Sequence, residues 1–242
     1  TLWLDAPAPR EAAVLGFLFS VGTYGAGTWW LYNSIHVIGQ APVWLALLLM
    51  AVLVVVMAGW QAVLGYVLVR WLPRGPVLAP LVVMPAAWLL VEMFRGRFLT
   101  GFPWLSLGYS QTDSALKGFA PVGGVYLVSL VLLLMAGGLV TLARARGGLR
   151  GVGAALLLLP WPLGAALDRI DWTEPFGEPL SVAVLQGAIP QDEKWLLRNR
   201  DATLARYRKL NDEVLGTRLI VWPESAPPDL ANNLASYLGK IW

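Results

Sequence analysis

The chain has 242 residues, of which 57% are hydrophobic and 14% are charged, a balance that excludes an ordinary soluble globular protein. It carries a net charge of +3, no cysteine and one histidine, His36, which excludes disulfides and multi-histidine or thiolate metal sites. Since these ligands are missing, we expect no metal, and we also expect no cofactor. The cations flank apolar segments and form no basic stripe, so we expect no nucleic-acid partner. These features predict a membrane protein.

Charge is spread unevenly along the chain. Residues 1–167 hold 13 charged side chains, whereas the much shorter remainder, residues 168–242, holds 20. We therefore predict two domains, a multi-pass α-helical membrane domain over 1–167 and an α/β region over 168–242.

About five membrane helices are predicted in the first domain. No Asp, Glu, Lys or Arg occurs between positions 12 and 69, and that stretch is too long for one crossing of about 20 residues. A break over 33–42 therefore separates two helices, and three more apolar segments follow. The predicted spans are 12–32, 43–69, 77–91, 121–142 and 151–167.

The arginines predict the orientation of these helices. On one side the connections carry Arg10, Arg70, Arg74, Arg144, Arg146 and Arg150. The other side carries only Arg95, Arg97 and Lys117. Because positive residues concentrate on the cytoplasmic side, we expect the C-terminal region to lie outside the cytoplasm.

The C-terminal region has the pattern of a βαβ unit. Apolar runs at 180–185 and 219–222 predict two parallel strands, and residues 192–214 predict an amphipathic helix between them. Its apolar face holds Leu197, Leu204, Tyr207, Leu210 and Val214. Two strands and one helix bury too little apolar surface for a sound core, so we expect the sequence to stop inside a domain.

Glu224 follows the second strand in the stretch RLIVWPESAP. Pro223 cannot continue the ladder of hydrogen bonds, so Glu224 should lie just beyond the carboxyl end of the strand, where α/β sheets place their ligands. A solvated loop carboxylate is the simpler alternative.

Four stretches carry a resemblance to a known family. They are GTWWLYNSIHVIG at 27–39, FRGRFLTGFPWLSLGYSQ at 94–111, LQGAIPQDEKW at 185–195 and VWPESA at 221–226. In this order they resemble the bacterial apolipoprotein N-acyltransferases, which are multi-pass membrane enzymes with a nitrilase-like αββα sandwich domain. The resemblance implies that residues 168–242 begin such a domain.

The resemblance also implies a reaction and its partners. A phospholipid donates an acyl chain to the N-terminal cysteine of a diacylated apolipoprotein through a thioester, with a glutamate as general base and a lysine that stabilises the oxyanion. Glu224 matches that glutamate, and burial among apolar neighbours would raise its pKa. We expect a monomer among the lipids of the bacterial inner membrane, with its C-terminal domain in the periplasm.

The family's lysine and cysteine have no match in these residues. Lys240 lies too close to Glu224 to be assigned as the lysine. Without a thiol the 242 residues by themselves should not catalyse the reaction. We interpret them as an inactive fragment, truncated at both ends, and a natural pseudoenzyme is the alternative.

Three further residues are candidates for substrate binding. Arg95 is predicted to bind a lipid phosphate, although snorkelling or pairing with Glu92 would also explain it. Trp104 lies in a loop that forms either an entry lip for lipid or a plain interfacial turn. Trp195 contacts substrate or merely anchors the start of the helix, and His36 fits an interface residue better than a catalyst.

Two other functions fit parts of the sequence. A membrane-anchored amidase of the nitrilase type would use the same glutamate with water as the acceptor, but the preceding membrane helices favour a lipid substrate. A transporter or membrane scaffold would leave the stretch around Glu224 without a role, and the first two helices carry no intramembrane charge.

Overall fold

The computed structural model describes residues 2–73, 75 and 77–239. Arg74, Lys240 and Trp242 lie outside the described residues. The chain forms two compact units, Thr1–Thr173 and Glu174–Trp242. The first is helical, and the second holds a small parallel sheet.

Unit 1 is built from α-helices joined by short π and 3-10 turns. The helices are α1 Leu2–Asp5, α2 Pro9–Gly27, α3 Val43–Trp71, α4 Met84–Arg95, α5 Ala120–Arg144, α6 Gly148–Leu158 and α7 Pro160–Leu167. The π turns are Asn33–Ile38 and Ala79–Val83, and the 3-10 turns are Phe98–Thr100, Leu107–Gln111 and Ala115–Phe119.

Three helical segments among the described residues are long and apolar enough to cross a membrane. They are Val43–Trp71, Ala115–Arg144 and Gly148–Leu167, with mean hydropathies of 2.6, 2.4 and 1.4. These segments coincide with the second, fourth and fifth predicted spans. The first and third predicted spans are also helical, as α2 and as the π turn continued by α4, but that they cross the membrane stays a prediction.

Glycines allow the helices of unit 1 to approach each other closely. A Cβ at Gly16 would strike the Gln61 carbonyl, and one at Gly65 would strike the Ala12 carbonyl, so the backbones of α2 and α3 are almost in contact. Small residues at such crossings let apolar helices associate by van der Waals packing.

Two pairs of contacts involve the arginines of α2, α3 and α5 in unit 1. Arg10 of α2 and Arg70 of α3 line the same depression. The guanidinium of Arg144, at the end of α5, donates two hydrogen bonds to the carboxylate of Asp5. Arg10 and Arg70, which the predicted topology placed on one side, are thus neighbours, and Arg144 pairs with Asp5, five residues before Arg10.

Unit 2 contains the predicted pair of parallel strands. Its elements are β1 Val182–Val184, a 3-10 turn Leu197–Asn199, α8 Arg200–Asp212, β2 Leu219–Val221, a 3-10 turn Ala231–Leu234 and α9 Ala235–Leu238. The strands pair in parallel, with Ala183 opposite Ile220. Their order and direction confirm the predicted βαβ unit, and both strands are shorter than predicted. The nitrilase-like identity of this unit stays a prediction.

The helix of unit 2 begins later than predicted. After Pro190 the chain makes a turn, in which the amides of Glu193 and Lys194 both donate to the Pro190 carbonyl. Helix α8 therefore starts only at Arg200. The predicted apolar face is correct for Leu204 and Tyr207, which are buried, but wrong for Leu197, which is 88% exposed.

Candidate functional site

Glu224 lies three residues beyond the end of β2, at the predicted sheet edge. The amide of Ala226 donates to the Pro223 carbonyl at 3.2 Å, so residues 223–226 form a tight turn around Glu224. Within this turn Ser225 has φ of 50°, a left-handed conformation that is costly for a residue with a side chain. The turn therefore holds the backbone of Glu224 in a defined position.

The Glu224 side chain is exposed in the structure. The prediction that apolar neighbours bury it is therefore wrong for the described residues. The sequence places apolar residues beside Glu224, but the turn directs the buried side chain of Ala226 inward instead.

A contact between two of the family-like stretches anchors the Glu224 turn. The ammonium of Lys194 donates to the Glu224 main-chain carbonyl at 3.2 Å. Lys194 precedes Trp195, whose side chain is 57% exposed. The contact brings the chain beside Trp195 to the Glu224 turn, and a substrate contact of either residue stays a prediction. Sequence reasoning missed Lys194, although its position in the stretch LQGAIPQDEKW was a usable signal.

Packing against α8 fixes the end of the strand that leads to Glu224. The Trp222 ring stacks on Tyr207 with centroids 5.3 Å apart, and its Nε1 donates to the Asn211 side chain at 3.3 Å. Tyr207 and Asn211 are both buried. The end of β2 is therefore held by both apolar and polar contacts with α8.

Asp229 anchors the chain beyond the turn. Its carboxylate accepts from the Arg200 guanidinium at 2.6 Å and from the Asn233 amide at 2.7 Å. The Leu230 amide donates to the same carboxylate. These hydrogen bonds hold the pKa of Asp229 below its ordinary range, and the bond from Asn233 has the largest effect, followed by the bond from Arg200. The sequence carried no signal for this cluster.

A depression in unit 2 lies apart from Glu224. It measures about 720 Å³, is open to solvent and runs along α8 beside Ile189, Thr203 and Arg206. Its lining contains neither the Glu224 turn nor Trp195, so we take the Glu224 turn, and not this depression, as the candidate site.

In unit 1, Arg95 is buried and engaged by a loop. It is 3% exposed, and its Nη1 donates to the carbonyls of Phe102 and Trp104 at 2.6 and 2.5 Å. Its Nη2 donates to Ser106 Oγ at 3.1 Å. The guanidinium thus satisfies loop acceptors, an arrangement different from a side chain that snorkels to the interface.

Trp104 is half exposed at the surface of the same loop. Its ring stacks with Phe102 at 5.3 Å and lies 6.0 Å from Trp30, just beyond α2. His36 donates from Nδ1 to the Ala41 carbonyl at 2.7 Å, which fixes the break between α2 and α3. The structure therefore gives His36 a structural contact in the predicted interfacial break.

Comparison with known proteins identifies the family. Residues 1–138 match the model of the apolipoprotein N-acyltransferase N-terminal domain. An apolipoprotein N-acyltransferase of Pseudomonas putida is 45% identical over 240 residues, which cover 98% of this chain and 48% of the relative. One from Methylococcus capsulatus is 36% identical over 244 residues, which cover 99% of this chain and 48% of the relative.

The chain spans about half the length of the curated relatives it matches. The matched family model covers more than half of this chain. This chain belongs to the apolipoprotein N-acyltransferase family.

Proposed function

We propose that this chain supplies the membrane helices and the general base of an apolipoprotein N-acyltransferase. The observation that carries the proposal is the position of Glu224, held in a tight turn after the carboxyl end of a parallel strand. Open α/β sheets place their working groups at this edge. Further support comes from the relatives named apolipoprotein N-acyltransferase, which align with almost the whole of this chain.

In the proposed reaction Glu224 accepts a proton from a cysteine thiol. The thiolate attacks the ester carbonyl of a phospholipid, forms a thioester and releases a lysophospholipid, which takes up a proton. The α-amino group of a diacylated apolipoprotein then attacks the thioester, forms an amide and regenerates the thiol. These 242 residues contain no cysteine, so the thiol must come from outside them.

Trp195 and Trp104 are proposed to contact lipid. Both expose half or more of an indole, a side chain that favours the boundary between headgroups and acyl chains. The phosphate contact of Arg95 stays a prediction.

We also propose that unit 1 spans the bacterial inner membrane about five times as a monomer, with the nitrilase-like unit in the periplasm. The neighbouring arginines at the Arg10 end of unit 1 support a cytoplasmic location for that end. Single cysteines at exposed Asp113 and Gly148 test the orientation. A membrane-impermeant maleimide should label Asp113→Cys in intact spheroplasts and Gly148→Cys only after lysis; the reverse pattern would refute the orientation.

The activity is tested in a chimera in which this chain replaces the matching half of the Pseudomonas putida relative. With phospholipid and a diacylated lipoprotein, the product should gain the mass of one acyl chain. Glu224→Gln should lower the rate by about 10² to 10⁴ because the general base is lost. The exposed Glu193→Gln is the matched control and should retain the rate.

Two outcomes of this assay contradict the proposal. A folded chimera that leaves the lipoprotein mass unchanged refutes the acyltransferase, and equal rates for Glu224→Gln and wild type refute the base. Hydrolysis of small amides in place of acyl transfer would favour the amidase.

A further inference from the structure

Two charged side chains of α4 hold the loop that follows this helix. Glu92 and Arg95 lie one turn apart near the end of α4, and both are 3% exposed. Buried charges are costly unless they are paired or hydrogen-bonded. Here the partners are mainly polar atoms of the loop over residues 98–107, hereafter the aromatic loop.

Glu92 binds the aromatic loop through an amide. Its Oε1 accepts from the Leu107 backbone N–H at 2.9 Å and from Trp88 Nε1 at 3.3 Å. The second carboxylate oxygen, Oε2, is buried and has no hydrogen-bond partner among the described residues. Glu92 thus fixes the end of the loop at which the chain enters the next 3-10 turn.

Arg95 binds the same loop through hydrogen-bond acceptors of the loop. The guanidinium joins the Phe102 and Trp104 carbonyls to Ser106 Oγ, and the Phe102 amide donates back to the Arg95 carbonyl at 2.9 Å. Ser106 Oγ in turn donates to the Pro103 carbonyl at 2.9 Å. The loop therefore wraps around the Arg95 guanidinium, which binds two loop carbonyls. The Glu92 carboxylate binds the Leu107 amide of the same loop.

The conformation held in this way is costly for the loop alone. Leu99, Thr100 and Leu105 have φ of 49°, 74° and 62°, left-handed values that side chains disfavour. Leu99 is 81% exposed and Trp104 51% exposed. Such strain persists only when surrounding contacts over-determine the backbone, and here it presents apolar side chains outward.

We propose that Glu92 and Arg95 are positioning residues that clamp the aromatic loop, so that Leu99 and Trp104 are presented to lipid in a fixed geometry. In this arrangement the Arg95 guanidinium acts on the protein's own carbonyls and leaves the lipid phosphate unbound. The proposal deepens the acyltransferase function and rests on it for its kinetic consequence, but the clamp itself is measurable on this chain alone.

The absence of cysteine permits a direct test. A spin label on Leu99→Cys in the 242-residue chain reports the mobility of the loop in maltoside micelles, which contain no phosphate. The label should be immobile in the otherwise unchanged chain. Arg95→Gln should raise the mobile fraction by at least about threefold because strained loops are released to local unfolding.

Arg95→Lys separates the clamp from a phosphate ligand. Lysine carries one compact ammonium and cannot join three acceptors in the fixed geometry of a guanidinium, whereas it still serves as a point charge for phosphate. We therefore expect the lysine variant to mobilise the label as Arg95→Gln does. Arg97→Gln is the matched control and should leave the label immobile. Exposed Arg97 donates to the Met93 carbonyl and lies 5.9 Å from the Tyr126 ring, and among the described residues its side chain makes no hydrogen bond to the aromatic loop.

A milder variant guards against misfolding of the arginine variants. Ser106→Ala removes one acceptor from Arg95 and should produce an intermediate mobile fraction. Its helical circular dichroism should match that of the unchanged chain.

Two results would overturn the clamp. The first is a label that is mobile in maltoside micelles and becomes immobile only when phosphatidylglycerol is added, which assigns Arg95 to phosphate. The second is an immobile label in folded Arg95→Gln and Ser106→Ala.

Kinetics of the chimera supply the catalytic consequence. Arg95→Gln and Arg95→Lys should each raise the KM for phospholipid by about tenfold, with kcat changed by less than about twofold, because uniform substrate binding is lost. An unchanged KM overturns the positioning role even if the label is released. If the unchanged chimera has no activity, the proposed function fails, while the mobility result still tests the clamp.

Discussion

The ammonium of Lys194 lies 3.2 Å from the main-chain carbonyl oxygen of Glu224, 30 residues farther along the chain. This hydrogen bond joins the two family-like stretches of unit 2 and bears on the backbone of the proposed base. The Glu224 carboxylate takes no part in it, so Lys194 acts on the position of Glu224.

Lys194→Met should therefore lower kcat while leaving the free energy of unfolding almost unchanged. Because this hydrogen bond is exposed to solvent, the free energy of unfolding should change by less than about 1 kcal/mol. In the chimera kcat should fall by about tenfold, since small displacements of a catalytic group are costly. Lys209→Met, at an exposed site on α8, should leave kcat unchanged; an equal kcat for both variants would contradict the role of Lys194.

The Asp229 cluster should make the stability of unit 2 depend on acid pH. The folded-state pKa of Asp229 is depressed below its usual value of 3.8 by Asn233, Arg200 and the Leu230 amide. A depressed carboxyl pKa stabilises the folded state above the unfolded pKa, and this contribution is lost as pH falls through the folded pKa. The melting temperature should therefore decrease as the pH is lowered below 3.8.

Asp229→Asn tests this dependence, since an amide cannot titrate. The variant should melt earlier at neutral pH and lose part of the acid slope seen in the unchanged chain. Asp212→Asn, on the exposed side of α8, is the control and should keep the slope. Identical slopes in all three proteins would show that Asp229 does not carry the effect.

The packing of α5 against α6 depends on glycine at position 153. A Cβ there would meet the Gly138 carbonyl and the Leu142 backbone, whereas a Cβ at Gly151 would meet nothing within 4 Å. Gly153→Val should cost about 1–3 kcal/mol through overpacking. Gly151→Val bears the same helix-propensity change without the clash. Unfolding by SDS titration measures the difference, and equal midpoints would refute the close approach.

A buried serine holds the start of the 3-10 turn after the aromatic loop. Ser129 on α5 is 0% exposed, and its Oγ accepts from the Gly108 amide at 2.8 Å. Ser129→Ala leaves that N–H unpaired and should cost about 1–3 kcal/mol. Exposed Ser110→Ala is the control with little expected cost. The same SDS titration compares them, and an unchanged midpoint for Ser129→Ala would mean that another group satisfies Gly108.

Local patterns in the sequence predicted much of the architecture. Hydropathy identified the segments that become α3, α5 and the α6–α7 pair, because burial in lipid requires a long apolar run in the chain itself. Apolar runs and periodicity likewise identified β1, α8 and β2 and their parallel order. The stretch VWPESA placed Glu224 beyond the end of β2, since proline ends a strand for purely local reasons.

Contacts between distant polar atoms were decided only by the tertiary structure. Whether Arg95 faces lipid or the carbonyls of Phe102 and Trp104 depends on the left-handed backbone of Leu99 and Leu105, which no residue pattern specifies. The exposure of Leu197 and of Glu224 depends likewise on the turns after Pro190 and Pro223. Composition and spacing determine where apolar segments lie, whereas the path of each turn determines which polar groups meet.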